Sequence, residues 1–148
     1  MTVAVALAML ERQGHWLLQL RDDVPTIVAP GCWGLFGGHL DPGETPEQAL
    51  RRELLEEIAW VAGDLCFWFS DSNPQRRAHF FRASLTVPLE MLHLLEGQDM
   101  VLASLDTLRS GQIWSPGLGQ RRPLAPALQC AVERLGSSPM PPDSRSSR

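Results

Sequence analysis

The chain opens on an unbroken apolar run, Val3-Ala4-Val5-Ala6-Leu7-Ala8-Met9-Leu10. A strand sends successive side chains to opposite faces, and here neither set is polar, so the run predicts a strand covered on both sides. Arg12-Gln13-Gly14-His15 turns the chain, and Trp16 to Arg21 returns as a second strand. Asp22 to Gly31 has loop chemistry, with Pro25, Pro30 and Gly31, and leads to a short strand from Trp33 to Phe36 that Gly37-Gly38 ends. Farther on, Leu65-Cys66-Phe67-Trp68-Phe69 and Ala78 to Val87 read as the arms of a hairpin, with Asp71-Ser72-Asn73-Pro74 as its turn. In the second arm Arg82, Ser84 and Thr86 share the face opposite His79, Phe81, Ala83 and Leu85, and Asp99 to Leu105 predicts a further strand.

Two stretches carry the helical period instead. The first runs from about Pro46 to Ile58: Thr45 is placed to cap it, Pro46 suits its first position, Gln48 completes a capping box, and Glu47 sits at the positive end of the helix dipole. Leu54, Leu55 and Ile58 fall on one arc, and Glu53, Glu56 and Glu57 on the other. The expectation is a helix with its back on a sheet and its acids facing outward. The second helix, from about Pro126 to Leu135, follows from Leu124, Leu128, Ala131, Val132 and Leu135, with Gly136 as its closing cap. Two amphipathic helices and alternating strands predict an α/β fold: an α/β/α sandwich whose mixed sheet of about six strands lies between the helices, as one domain over residues 1–136. Residues 137–148, Ser-Ser-Pro-Met-Pro-Pro-Asp-Ser-Arg-Ser-Ser-Arg, lack the apolar groups that offset ordering entropy and are expected to form a disordered tail.

The acidic arc is the first chemical signal. At about 100° per residue, Glu56 lies about 60° to one side of Glu53 and Glu57 about 40° to the other, so three carboxylates share a narrow face. Their mutual repulsion, roughly 0.2–0.5 kcal/mol per pair in a bare helix, is reversed by a divalent cation, because hard cations take carboxylate oxygens. Read alone, a solvated acidic face is the commoner explanation of such a run.

Composition narrows the partners. With 148 residues, 44% hydrophobic and 20% charged, the chain is of single-domain size, and its net charge of −4 provides no field for long nucleic acid. All 13 basic residues are arginine, which suits bidentate phosphate contacts, although codon bias explains it as well. Cys32, Cys66 and Cys130 form no close pair and read as reduced thiols. The apolar start lacks a basic leader, and no segment reaches the ~20 apolar residues that span a bilayer, so the expectation is a cytoplasmic protein without a membrane partner.

The ordered set Gly38, Glu44, Arg52-Glu53-Leu54, Glu56-Glu57 resembles the motif of the Nudix hydrolases, G-x5-E-x7-R-E-U-x-E-E-x-G-U with U a bulky aliphatic. The motif spans residues 38–60, or 23 of 148, and two last positions depart from it: Ala59 replaces glycine and Trp60 an aliphatic. The resemblance implies hydrolysis of a nucleoside diphosphate linked to another group, with Mg²⁺ or Mn²⁺ as cofactor. The substrate would be a nucleoside triphosphate, oxidised forms included, or an ADP-ribose-like nucleotide. A non-catalytic nucleotide-binding module is the alternative. By the same resemblance Glu53, Glu56 and Glu57 would ligate metal, joined by the backbone carbonyl of Gly37, while Arg52 and Glu44 would form an orienting pair. The general base stays open between Glu53 and Glu96, the latter preceding Gly97 in a loop that contributes a carboxylate in many members.

For the substrate, Trp33, Phe36 and Trp68 are stacking candidates at ~1–3 kcal/mol per base, although core positions are the commoner use of such residues. Arg82, with Arg76 and Arg77, is a candidate for a phosphate. Oligomeric state stays open, a homodimer among the options. The departures at the motif's end yield one structural expectation. Alanine is disfavoured in the left-handed turn that glycine would supply, so the helix is expected to continue to a cap at Gly63, carrying Trp60 to the glutamate side.

Overall fold

The computed structural model describes residues 2–137. In chain order its elements are β1 (Val3–Arg12), β2 (His15–Leu20), β3 (Trp33–Gly34), β4 (Phe36–His39), α1 (Pro46–Ile58), β5 (Cys66–Ser72), β6 (Arg76–Ser84), β7 (Asp99–Ser104), α2 (Leu105–Ser110), β8 (Gln112–Ser115), β9 (Gln120–Pro123) and α3 (Pro126–Ser137). A seven-stranded mixed sheet runs β3-β2-β1-β6-β5, with β4 on β1 and β7 on β2. Among the strands of this sheet in the described residues, β1 and β6 alone pair in parallel, from Val3 beside Arg76 to Glu11 beside Ser84.

The apolar run of β1 divides between two cores. Val5, Leu7 and Met9 pack with Leu18, Leu20, Phe80, Leu128 and Ala131, which is the α3 side. Ala6, Ala8 and Leu10 pack with Leu17, Phe36, Phe81, Leu50, Leu54 and Ile58, which is the α1 side. The helices therefore cover opposite faces of one sheet, the α/β/α sandwich that the apolar run and the two amphipathic helices require.

Differences from expectation lie where local signals are short. Gly37-Gly38 do not end a strand but lie within β4, and the stretch before them is two strands broken at Leu35. The hairpin arms extend farther toward the turn, so Asp71 and Ser72 are strand residues. Helix α2 and the β8–β9 hairpin were not anticipated, although Pro116-Gly117 is a turn signal between β8 and β9. Helix α3 passes through Gly136 to Ser137, and the remainder of the predicted tail lies outside the described residues.

The end of α1 overturns the extension to Gly63. Ala59 is left-handed, at φ 56° and ψ 41°, and its N–H closes the helix on Leu55 O at 3.1 Å. The chain then runs with Trp60 and Ala62 buried and Val61 79% exposed, a strand-like alternation rather than a helical one. Two tertiary effects outweigh the cost of left-handed alanine, about 1 kcal/mol. Burying Trp60 at 6% exposure is worth roughly 4 kcal/mol as an upper-bound area estimate. The carbonyls of Glu57 and Ile58 accept from Leu95 N (2.8 Å) and His93 N (3.1 Å), positions that a continuing helix would have claimed. Replacing Ala59 by Gly relieves the strain without touching either effect. It is expected to stabilise the protein by about 1 kcal/mol, a rise of about 3 °C in the melting midpoint. A midpoint that falls would show that the left-handed residue is not strained.

Candidate active site

The start of α1 is built as its sequence predicts. Thr45 Oγ1 accepts from Gln48 N at 3.1 Å, and Gln48 Oε1 accepts from Thr45 N at 2.9 Å. This fixes the direction in which Arg52 and the glutamates leave the helix. Arg52 then binds Glu44 with both prongs of its guanidinium, at 2.7 and 2.9 Å, and donates to His39 O at 3.0 Å. The loop before α1 is thereby tied to the end of β4. Glu44 also accepts from Asp41 N at 2.7 Å. The Arg52 hydrogen bonds, followed by the Asp41 one, hold the Glu44 carboxyl down at about 2, and the pair keeps Arg52 protonated throughout the accessible pH range.

The three glutamates do not behave alike. Only Glu56 faces outward: Glu53 is largely buried, and Glu57 is 2% exposed, on the same side of α1 as Leu50, Leu54 and Ile58, while Leu55, expected on the packed arc, is 52% exposed. Inside, Glu57 Oε1 accepts from Gly37 N at 2.9 Å, and the Glu53 and Glu57 carboxyls hydrogen-bond each other. Burial, foremost, then the charges of Glu96 and Glu53, push Glu57 up to about 9 against the pull of the Gly37 N–H. Burial likewise raises Glu53, opposed by Arg52. Glu56 is turned to solvent and to Arg52 Nη1, at 3.3 Å.

Beside this pair β4 supplies bare backbone. A Cβ on Gly38 would lie 2.7 Å from the Glu53 carboxyl, and one on Gly37 would lie 2.0 Å from Ala6 O. Glycine at both positions lets the strand pass directly between β1 and the acids. The donors gathered here are oxygen only, and two of them are carboxyls crowded into a site that disfavours their charge. That chemistry fits a hard divalent cation such as Mg²⁺ or Mn²⁺. As the side chains stand, no three acid, His or Cys groups among the described residues converge on one point, so Glu56 would have to leave Arg52 to complete such a set.

Glu96 belongs to this neighbourhood. Its segment is pinned to the end of α1 by the Leu95 N bond to Glu57 O, and its charge acts on Glu57. Not foreseen was Gln19, a polar residue 3% exposed in β2, whose Nε2 donates to Glu96 O at 3.0 Å. The signal was a single polar residue in an otherwise apolar Trp16–Leu20 stretch.

Trp33 and Phe36 are not surfaces for a base, whereas Trp68 is half-buried beside Arg82. Trp33 and Phe36 are 0% exposed, and Trp33 Nε1 is committed to Ile113 O at 2.9 Å. Both are core residues, Trp33 packed on the α3 side of the sheet and Phe36 on the α1 side. Arg82 is not brought to the glutamates either: it alternates with Phe81 and so lies on the α3 face, its guanidinium 5.0 Å from the Trp68 ring and 5.9 Å from that of Trp16. It borders a cavity of about 330 Å³ lined also by Met9, Glu11 and Trp16, to which Glu53, Glu56 and Glu57 do not contribute. A smaller one, about 120 Å³, lies between the β5–β6 turn and the start of α3 and is lined by Asn73, Arg76, Phe80 and Pro126. Burial and the nearby Arg21 guanidinium hold the Arg76 pKa down. The Arg21 carbonyl accepts from Gln98 Nε2 at 2.9 Å, two residues beyond Glu96.

The raised carboxyls predict a pH dependence. Without divalent ions, folded Glu57 keeps its proton up to about 9, whereas unfolded it loses it near 4.5. The folded state binds more protons across that window, so stability is highest at the acid end and falls as pH rises. The melting midpoint in chelator is expected to drop from pH 6 to pH 9 more steeply for the parent than for Glu57→Gln; equal slopes would contradict the burial of an ionisable carboxyl there.

Comparison with known proteins agrees with the geometry. The NUDIX domain family model matches residues 1–106, from β1 into α2. Curated relatives match in short segments: nucleoside triphosphatase NudI of Enterobacter sp. is 61% identical over 31 residues, and NudI of Escherichia coli O1:K1 is 45% identical over 51 residues. These segments cover 21% and 34% of this chain, and 22% and 35% of the relatives, so the chain spans about a third or less of these two curated proteins. Among solved structures, the MutT NUDIX hydrolase of Burkholderia pseudomallei superposes with a TM-score of 0.71 at 22% identity, covering 91% of this chain and 98% of that one. The NUDIX domain of Shewanella oneidensis NrtR complexed with ADP ribose gives 0.66 at 20% identity, covering 90% and 86%. At such identities the superpositions establish the fold; with the family model spanning most of the chain and the glutamate helix set against the Gly37-Gly38 strand, the protein belongs to the Nudix hydrolase family.

Proposed function

We propose that the protein is a Mg²⁺- or Mn²⁺-dependent pyrophosphohydrolase acting on a nucleoside diphosphate linked to a further group, with a nucleoside triphosphate as the first candidate substrate. The observation that carries this reading is the pair of hydrogen-bonded carboxyls, Glu53 and Glu57, set against the bare backbone of Gly37 and Gly38. Buried acids with raised pKa values mark functional sites, and a bound cation gives their charge a use that the Gly37 hydrogen bond alone does not. Glu53, Glu56 and Glu57 would hold the ion, with the Gly37 carbonyl. When bound, such an ion supplies charge neutralisation at pyrophosphate oxygens and a more acidic water. The chain's own residues then have distinct tasks. Arg52 and Glu44 fix the helix and the loop before it; Glu53 or Glu96 takes the proton of the attacking water as the phosphoanhydride P–O bond breaks. Arg76, in the cleft beside the start of α3, offers a guanidinium group to the far end of the nucleotide.

Triphosphates rank first because the curated relatives that match in short segments are nucleoside triphosphatases. ADP-ribose ranks second, on the ligand of the similar Shewanella domain. The site works on this reading in the cytoplasm, on a small nucleotide, and residues 1–136 suffice for it. The test is turnover of a panel of nucleoside triphosphates, their 8-oxo forms and ADP-ribose with Mg²⁺, with products identified. Monophosphate and pyrophosphate from a triphosphate are expected. Thermal stabilisation by nucleotides without turnover of any of them would instead indicate a binding module.

A further inference from the structure

Glu96 stands on a loop, yet the loop is held at three successive points around it. On one side Leu95 N donates to Glu57 O at 2.8 Å; on the other Gln98 N donates to Leu20 O at 2.8 Å. Between them the carbonyl of Glu96 itself accepts from Gln19 Nε2 at 3.0 Å. Gly97, at φ 100°, packs on the stem of Gln19 so closely that a Cβ would meet Gln19 Cγ at 2.8 Å and Leu20 O at 2.9 Å. Gln19 alternates with Leu18 and Leu20 in β2 and shares its face with Leu17, which packs on the α1 side. Its amide is therefore directed to the layer that holds the glutamates. A buried amide in a strand is retained only with a partner, and here the partner is the backbone of one candidate catalytic residue.

We propose that Gln19 is a positioning residue for Glu96: its amide and stem fix the Glu96 backbone, and so the reach of the Glu96 carboxylate toward Glu53 and Glu57. This rests on the reading of Glu96 as the general base. Displacement of a reacting group by about 1 Å costs up to about 100-fold in rate, so loss of this one anchor, with the Leu95 and Gln98 bonds kept, is expected to lower kcat roughly 10-fold.

The test is a cycle of Gln19→Met and Glu96→Gln, measured on the full chain with Mg²⁺ and the best substrate of the panel. Methionine keeps the length and removes the donor. Gln19→Met is expected to lower kcat about 10-fold with KM and Mn²⁺ affinity near those of the parent, and to have little further effect in the Glu96→Gln background. Gly97→Ala, which pushes the same loop away from Gln19, should show the same non-additivity and serves if the methionine variant folds poorly. An unchanged kcat in both single variants, or equal losses in the two backgrounds, overturns the positioning role while leaving Glu96 in place. Parental kcat in Glu96→Gln alone overturns the general-base reading, and the role of Gln19 with it.

Discussion

Replacing Glu57 by Gln is expected to lower kcat about a thousandfold, some 4 kcal/mol of transition-state stabilisation, with the fold intact. The amide oxygen can still accept from Gly37 N, which Glu57 Oε1 does now at 2.9 Å, so the end of α1 stays docked on β4. What is lost is the charge. Glu57 is the most buried of the three acids, at 2% exposure, and its carboxylate acts where water screens least. Without divalent ions the variant should be at least as stable as the parent at pH 8, because it carries no carboxyl to ionise in a site that resists it. Three measurements separate the terms: product release at saturating Mg²⁺, Mn²⁺ affinity by calorimetry, and the melting midpoint in chelator. Parental turnover would sink the assignment of Glu57 as a metal ligand.

Gly37→Ala is expected to be the most damaging small substitution for stability, at about 3 kcal/mol or more. The added Cβ would sit 2.0 Å from Ala6 O and 2.9 Å from Leu7 Cα, both backbone atoms of the central strand, and the residue is at φ 137°. Neither neighbour can rotate away, so β4 itself must shift and carry the Gly37 N–H off Glu57. Gly38→Ala makes a useful contrast. The atoms nearest its Cβ all belong to the Glu53 carboxyl, at 2.7 Å, the far end of a side chain that can swing. That variant should fold with a near-parental midpoint and lose activity. Urea unfolding of the two should show the gap, and a parental midpoint for Gly37→Ala would mean that β4 does not approach β1 as described.

The chain written out by itself determined the start of α1 and the cover of β1, whose causes lie within about one turn or one strand. Thr45, Pro46 and Gln48 cap α1 through bonds that span three residues, and the apolar run of β1 needs only its own alternation to demand cover on both faces. The same holds for the carboxylates: their spacing placed Glu53, Glu56 and Glu57 on one side of a helix, and Gly38, Glu44 and Arg52 completed a motif specific enough to imply the family. Tertiary structure decided the rest, wherever distant groups outweighed a local preference. Ala59 adopts the backbone it disfavours because Trp60 gains a core position and because His93 and Leu95 take the carbonyls at the helix end. Helical periodicity could say that Glu57 and Leu55 lie on different arcs. It could not say that the sheet and β4 would meet the arc of Glu57 and leave Leu55 in water, since that depends on where a neighbouring element docks. Trp33 and Phe36 are buried for the same reason: Trp33 faces the layer that α3 covers and Phe36 the layer that α1 covers. Gln19 stands 77 residues from Glu96 in sequence, and no pattern along the chain links a strand amide to the carbonyl of so remote a loop; only the folded sheet, by placing β2 under that loop, brings the two together.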